Sequence, residues 1–235
     1  FHCELTKTKD LLKNLMTTAT RDYQTPSARP GKLNKRLVYW AGVGENWVTI
    51  NGRSVRYLVH GDGKPMVMVH GFNFNANDWI NCCGNDFPGF RIYAIDMPYG
   101  PKSRSDHFMP RNDDDYANHL YAVIKALNIE NPVLVGASLG GETVLRYLAL
   151  NYPAMAGIVV GPVRVPYIDL SRIRVPVMGI WGSNDRVSGR ENMEAMRRAG
   201  FRVEVINGAG HPAYLDKPKE FVKLVLDFLK SINVL

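Results

Sequence analysis

Residues 132–150 read Pro132-Val133-Leu134-Val135-Gly136-Ala137-Ser138-Leu139-Gly140-Gly141-Glu142-Thr143-Val144-Leu145-Arg146-Tyr147-Leu148-Ala149-Leu150. The first part is short, apolar and β-branched, as a buried strand requires. The part after Gly140 places apolar residues at helical spacing. Ser138 falls at the join. A serine at a sharp strand-to-helix turn adopts a strained backbone conformation that presents its hydroxyl, and small residues two before and two after it let strand and helix approach closely. A G-x-S-x-G string is common by itself; its strand and helix flanks make it a candidate nucleophile.

Outward from this stretch the chain alternates. Strand-like runs fall at 66–69, 91–95, 133–135, 157–160, 175–181 and 202–206. Helix-like runs fall near 77–85, 113–128, 141–151, 188–199 and 216–231. Near-continuous apolar strands alternating with helices predict an α/β fold with a mostly parallel sheet covered on both faces. Ahead of it, Trp47–Ile50 and Val55–Val59 flank Asn51-Gly52, a strong hairpin signal. No internal repeat or low-complexity segment is present.

The 235 residues suit one domain with an arm, and the apolar and charged shares, 46% and 22%, are those of a globular chain. The net charge of +7 is unevenly placed: residues 1–36 hold eight Lys/Arg against three acids, leaving +5 there and +2 elsewhere. We therefore divide the chain into a basic N-terminal arm, 1–36, with an amphipathic helix over about 5–20 and a Pro/Gly-broken linker, and a catalytic domain, 37–235. The body lacks the basic, aromatic-interleaved face that nucleic acid demands. No apolar run is long enough to span a bilayer, and no secretory h-region is present. Cys3, Cys82 and Cys83 are odd in number, two of them adjacent, which predicts reduced thiols in a cytoplasmic setting and no disulfide framework. The chain begins at Phe1 rather than Met, which leaves room for an upstream address or anchor.

A serine hydroxyl needs a base to take its proton and a third group to orient that base. In an open α/β sheet these should lie beyond the carboxyl ends of strands. Asp185 follows the run ending at Trp181, and His211 follows the run ending at Ile206 through Asn207-Gly208-Ala209-Gly210. The order Ser138, Asp185, His211 is that of an α/β-hydrolase triad. Taken singly, Asp185 reads equally well as a turn or helix-capping residue and His211-Pro212 as a structural turn; Asp169 is the rival acid. Asp96 reads as structural. His70 is expected to hold a loop by hydrogen bonds; His107 in a loop, His119 on a polar helix face, His2 and His60 are expected to be solvated or structural. Two backbone donors should stabilise an oxyanion, the N–H of Leu139 and that of Phe72 in the turn after the 66–69 strand.

His70-Gly71-Phe72, Gly136–Gly141, Gly182-Ser183-Asn184-Asp185 and Gly210-His211 together resemble the α/β-hydrolase superfamily over about residues 45–232. The run 208–218 and His70-Gly71-Phe72-Asn73-Phe74 followed by Trp79 are similar to the abhydrolase-domain-14 group of small hydrolases. That resemblance implies an exposed serine triad with little or no lid and ester-type hydrolysis; the triad mechanism itself requires no cofactor or metal. In place of the superfamily's D-x-P-G-x-G-x-S, this chain has Asp96-Met97-Pro98-Tyr99-Gly100-Pro101-Lys102-Ser103. The resemblance makes that loop a border of the site, with Tyr99 and Phe74 as candidate pocket residues. Only Pro162 to Arg174 is available where many members insert a cap, which predicts no cap domain and favours short, accessible esters. The expected reaction is hydrolysis of a small-molecule ester through an acyl-enzyme. Acyl transfer on the same triad, or a partner-binding protein retaining the fold, are the alternatives, and oligomeric state is left open.

Overall fold

The computed structural model describes residues 42–235. The arm, its amphipathic helix and Cys3 lie outside the described residues. Eight strands form one sheet: β1 (Gly44–Ile50), β2 (Arg53–His60), β3 (Lys64–Val69), β4 (Phe90–Ile95), β5 (Val133–Ala137), β6 (Ala156–Val160), β7 (Val177–Gly182) and β8 (Arg202–Ile206). The helices are α1 (Ala76–Cys83), α2 (Asp115–Ala126), α3 (Leu139–Ala149), α4 (Arg190–Arg198), α5 (Ala213–Asp216) and α6 (Pro218–Ser231).

Asn51 and Gly52 both take positive φ, 49° and 77°, which closes the β1–β2 hairpin with Ile50 opposite Arg53. The spatial order is β1-β2-β4-β3-β5-β6-β7-β8. β2 is antiparallel to both its neighbours, and the strands from β3 onward pair in parallel. The twofold period of a strand divides the core between the two faces. Met66, Met68, Val133, Val135, Ile158, Val160, Met178 and Ile180 pack with residues of α1, α5 and α6. Val67, Val69, Leu134, Val159, Val177 and Trp181 face the other way, toward residues of α2, α3 and α4. Every residue of β5, β6 and β7 is buried, so these strands read as unbroken apolar runs.

This order positions the site. After β3 the chain adds β4 on one side, then crosses to lay β5 on the other. At such a switch point the loops leaving the two strands diverge and open a crevice at their carboxyl ends. The loops concerned are the one starting at His70 and the turn at Ser138. Between β6 and β7 the chain has room for two short 3₁₀ turns, Val165–Tyr167 and Leu170–Arg172, and among the described residues there is no separate cap domain. No helix among the described residues is long and apolar enough to cross a membrane.

Candidate active site

Ser138 has φ 54° and ψ −118°, a conformation that costs a non-glycine residue on the order of 1–3 kcal/mol. Two hydrogen bonds and the start of a helix hold it there. Its N–H donates to Val160 O at 2.9 Å, its carbonyl accepts from Glu142 N–H at 3.0 Å, and α3 starts immediately after it. The flanking glycines permit the turn by close approach. A Cβ at Gly136 would lie 2.3 Å from Gly140 O, and one at Gly140 would lie 2.4 Å from Val69 O. The second contact brings the start of α3, and with it the Leu139 N–H, against the end of β3, where the His70–Phe72 loop begins.

His70 fixes that loop. It is fully buried; its Nε2 accepts from Met97 N–H at 2.9 Å, so its Nδ1 carries the proton and donates to Gly71 O at 2.7 Å. Burial holds the imidazole below its ordinary value, which keeps it neutral and preserves this donor–acceptor pattern. Tyr99 is 3% exposed and its hydroxyl donates to His70 O at 2.7 Å. Its contacts are those of a support behind the loop rather than of an open pocket wall. Burial pushes its phenol well above the usual range. Phe74, half-buried, lies near Gly71 and under the Lys102 ammonium, which sits 5.7 Å from the ring centroid.

His211 and Asp185 meet as a pair, with Nδ1 2.7 Å from Asp185 Oδ2. The other carboxylate oxygen, Oδ1, accepts from the N–H groups of Val187 and Ser188, both at 2.9 Å. Asp185 is thus a turn-forming aspartate and the partner of His211 at once, one oxygen for each task. The His211 loop is held by Asp216 Oδ2, which accepts from Gly210 N–H at 2.7 Å, and by Ala209 O, which accepts from Asn184 N–H at 2.9 Å. Tyr214 stacks on Trp79 at 4.0 Å and 14°, and its carbonyl accepts from Cys82 Sγ at 3.2 Å. Cys82 and Cys83 carry free thiols.

Val160 and Gly161 connect the turn at Ser138 to the pair. The Val160 carbonyl holds Ser138, and the next residue backs directly onto the pair: a Cβ at Gly161 would fall 2.7 Å from Asp185 Oδ2 and 2.9 Å from His211 Nδ1. Ser188 closes the arrangement from below. Its buried hydroxyl donates to Pro162 O at 2.6 Å and accepts from Trp181 Nε1 at 2.9 Å. Gly161 and Ser188 went unnoticed in the sequence. A Gly-Pro pair directly after a buried strand could have marked the first; nothing in the sequence marks the second.

The remaining candidates fall elsewhere. Asp169 accepts from Ser171 N–H at 3.2 Å and caps a 3₁₀ turn. Asp96 is buried, bonded to Ala76 N–H at 2.7 Å and to the guanidinium of Arg56 at 3.2 Å, the structural role expected of it. His119 corrects the reading of a polar helix face: it is 7% exposed, edge-on to Phe108, and burial, with Arg53 nearby, lowers it to about 4. Among the described residues no group of three or more His, Cys, Asp or Glu is arranged to hold a metal ion.

Residues 64–161 match the family described as the alpha/beta hydrolase fold, in keeping with the sheet order and the turn at Ser138. The Rattus norvegicus protein named "Putative protein-lysine deacylase ABHD14B" is 30% identical over 190 residues, covering 77% of this chain and 87% of that protein. ABHD14A of Mus musculus is 28% identical over 178 residues, 71% of this chain and 70% of that protein. Among solved structures, the "predicted CIB-like hydrolase from Thermoplasma acidophilum" superposes with a TM-score of 0.73 at 29% identity, over 80% of this chain and 98% of that one. The chain belongs to the ABHD14 group of α/β hydrolases.

Proposed function

We propose that the protein is a serine hydrolase that cleaves small carboxylic esters through an acyl-enzyme. The observation that carries this reading is the 2.7 Å Asp185–His211 pair joined through Val160-Gly161 to a serine at φ 54°. In the mechanism, Ser138 Oγ attacks the acyl carbon while His211 Nε2 takes its proton. Asp185 holds the Nδ1–H tautomer and stabilises the imidazolium. The backbone N–H groups of Leu139 and Phe72 receive the oxyanion. His211 then protonates the departing alcohol, and water, activated by the same imidazole, releases the acid. No metal or cofactor takes part.

The short span between β6 and β7 leaves no room for an inserted cap there, which favours accessible acyl groups and also substrates larger than a free ester. The rat relative's name refers to protein-lysine deacylation. The same acyl-enzyme would form from an acyl-lysine amide, with the amine protonated by His211 as it leaves. Transfer of the acyl group to an amine or thiol is the third outcome of this chemistry, and a fold retained for partner binding alone is the fourth.

Purified protein and Ser138→Ala should be compared on p-nitrophenyl acetate, on an acetyl-lysine peptide and with a fluorophosphonate probe. We expect ester hydrolysis and labelling by the wild type and, for the alanine variant, no labelling and a rate lower by several orders of magnitude. Equal ester rates in the two proteins would remove Ser138 from the mechanism. Preference for the peptide would move the assignment to amide deacylation. Product analysis with competing acceptors separates hydrolysis from transfer.

A further inference from the structure

Every residue of α3, from Leu139 to Ala149, is buried, yet two of them are charged. Glu142 is 3% exposed and lies one turn beyond Ser138. Its Oε1 accepts from Arg146 Nε at 2.9 Å and lies 3.4 Å from Arg164 Nη1. Arg164 in turn donates through Nη2 to Asp113 Oδ1 at 2.8 Å, and the Arg146 guanidinium reaches Asp113 and Asp114 at 3.4 Å each. Burial pushes Glu142 up and the two guanidiniums pull it back. Replacing buried charges with well-packed apolar residues is commonly neutral or stabilising, so stability alone is a weak account of such a network.

What the network touches is more specific. Arg164 has φ 56° and ψ 25°, the left-handed conformation that disfavours any side chain. It sits where the chain leaves Gly161-Pro162 and turns into the 3₁₀ segment Val165–Tyr167. Glu142 and Asp113 grip its guanidinium from outside that segment. Immediately upstream, Pro162 O accepts the Ser188 hydroxyl, Ser188 N–H binds Asp185 Oδ1, and Gly161 backs onto Asp185 and His211. The ion pairs hold the course of this segment from the side of the nucleophile helix.

We propose that Glu142 and Arg164 are positioning residues. Their ion pair ties the nucleophile helix to the segment after β6 and so holds the Asp185–His211 pair in register with Ser138. The role rests on the reading of these three residues as the reacting groups.

Arg164→Gly removes the guanidinium and at the same time relieves the left-handed strain. Arg164→Lys keeps a cation and the strain. The positioning role therefore predicts opposite orders for stability and rate. The glycine variant should melt no lower than the lysine variant, yet be the slower enzyme. For p-nitrophenyl acetate its kcat should fall about 10- to 100-fold with KM changed by less than about twofold, the lysine variant recovering most of the loss, as displacement of a reacting group by a fraction of an ångström predicts. Glu142→Gln should resemble Arg164→Gly and be non-additive with it.

A second readout does not require turnover: the downfield proton resonance of His211 Nδ1–H bonded to Asp185. It should be seen in wild type and Arg164→Lys and be lost or broadened in Arg164→Gly. A folded glycine variant with wild-type kcat and an intact resonance would overturn the proposal, as would rates that simply track melting temperature across the series. If the wild type neither turns over esters nor reacts with the phosphonate, the proposed function fails, and the resonance alone then decides whether the ion pair holds the His–Asp pair.

Discussion

Gly161→Ala is the most revealing single-methyl change available to this protein. The residue has φ +49°, and its backbone cannot easily retreat, because its N–H donates to Ile180 O at 2.8 Å and so pins it to β7. An alanine there meets two separate costs. The left-handed conformation contributes about 1–2 kcal/mol. The methyl would also lie 2.7 Å from Asp185 Oδ2, 2.9 Å from His211 Nδ1 and 3.0 Å from His211 Cε1. Ordinary contacts are about 3.5 Å or more, so the pair must recede by roughly 0.5–0.8 Å. Asp185 is held on its far side by the N–H groups of Val187 and Ser188, so the displacement falls mainly on the imidazole. A misplacement of that size costs on the order of 10²-fold in rate. Gly200→Ala separates the two costs: it has φ +83° and nothing within 4 Å, so it carries the backbone strain alone. We expect both variants to melt a few degrees below wild type, at roughly 2–4 °C per kcal/mol for a domain this size. Gly161→Ala should then lose about two orders of magnitude in kcat for p-nitrophenyl acetate while Gly200→Ala retains its rate. A folded Gly161→Ala protein with kcat within threefold of wild type would refute the argument that this backbone position sets the His211–Asp185 geometry.

Ser188→Ala deprives Pro162 O and Trp181 Nε1 of their shared partner; we expect destabilisation of about 1–3 kcal/mol by urea unfolding and a reduced kcat. Tyr99→Phe removes the donor to His70 O and should cost about 1 kcal/mol while leaving the preference among acetyl, butyryl and octanoyl esters unchanged; a changed preference would restore Tyr99 as a pocket wall. His119 is held at about 4 when folded, against roughly 6.5 unfolded, so the unfolded state binds its proton first as pH falls. The stability contributed by the neutral ring is complete above about pH 6.5 and is lost toward pH 4. His119→Leu should therefore abolish about 2–3 kcal/mol of the drop in unfolding free energy between pH 7 and pH 4.5.

The elements legible in the sequence were those whose signal is local. The Asn51-Gly52 turn, the unbroken apolar runs of β5 to β7 and the Gly136–Gly140 elbow each carry their geometry in a few adjacent residues. The 3₁₀ turns at 165–172 and the four-residue α5 were not read, because segments so short show no period. Tyr99 was read as a site residue from its place in a motif, yet its hydroxyl turned inward to a buried carbonyl. His119 was judged from the polarity of its neighbours in sequence, while its burial comes from Phe108 in a loop that packs over α2.

A further distinction separates Asp185 and His211 from the residues around them. The pair could be proposed because an acid and a histidine each follow a strand-like run after the serine, in the chain order that a triad requires. The groups that aim them, Gly161, Pro162, Ser188 and the Glu142–Arg164 pair, come from three different stretches of chain and are ordinary residues individually. Gly161 acts by having no side chain, Pro162 by a carbonyl, and Ser188 by an N–H to Asp185 and a hydroxyl to Pro162. Backbone groups are present at nearly every position, so sequence identity does not reveal which of them are used. The Glu142–Arg146 spacing in a helix otherwise free of charge is the exception, an i, i+4 pair that reads as a surface feature until the helix is found to be buried on all sides. A substitution survey restricted to Ser138, Asp185 and His211 would test what the site does. One directed at Gly161, Ser188 and Arg164 would test what aligns the His211–Asp185 pair with the turn at Ser138.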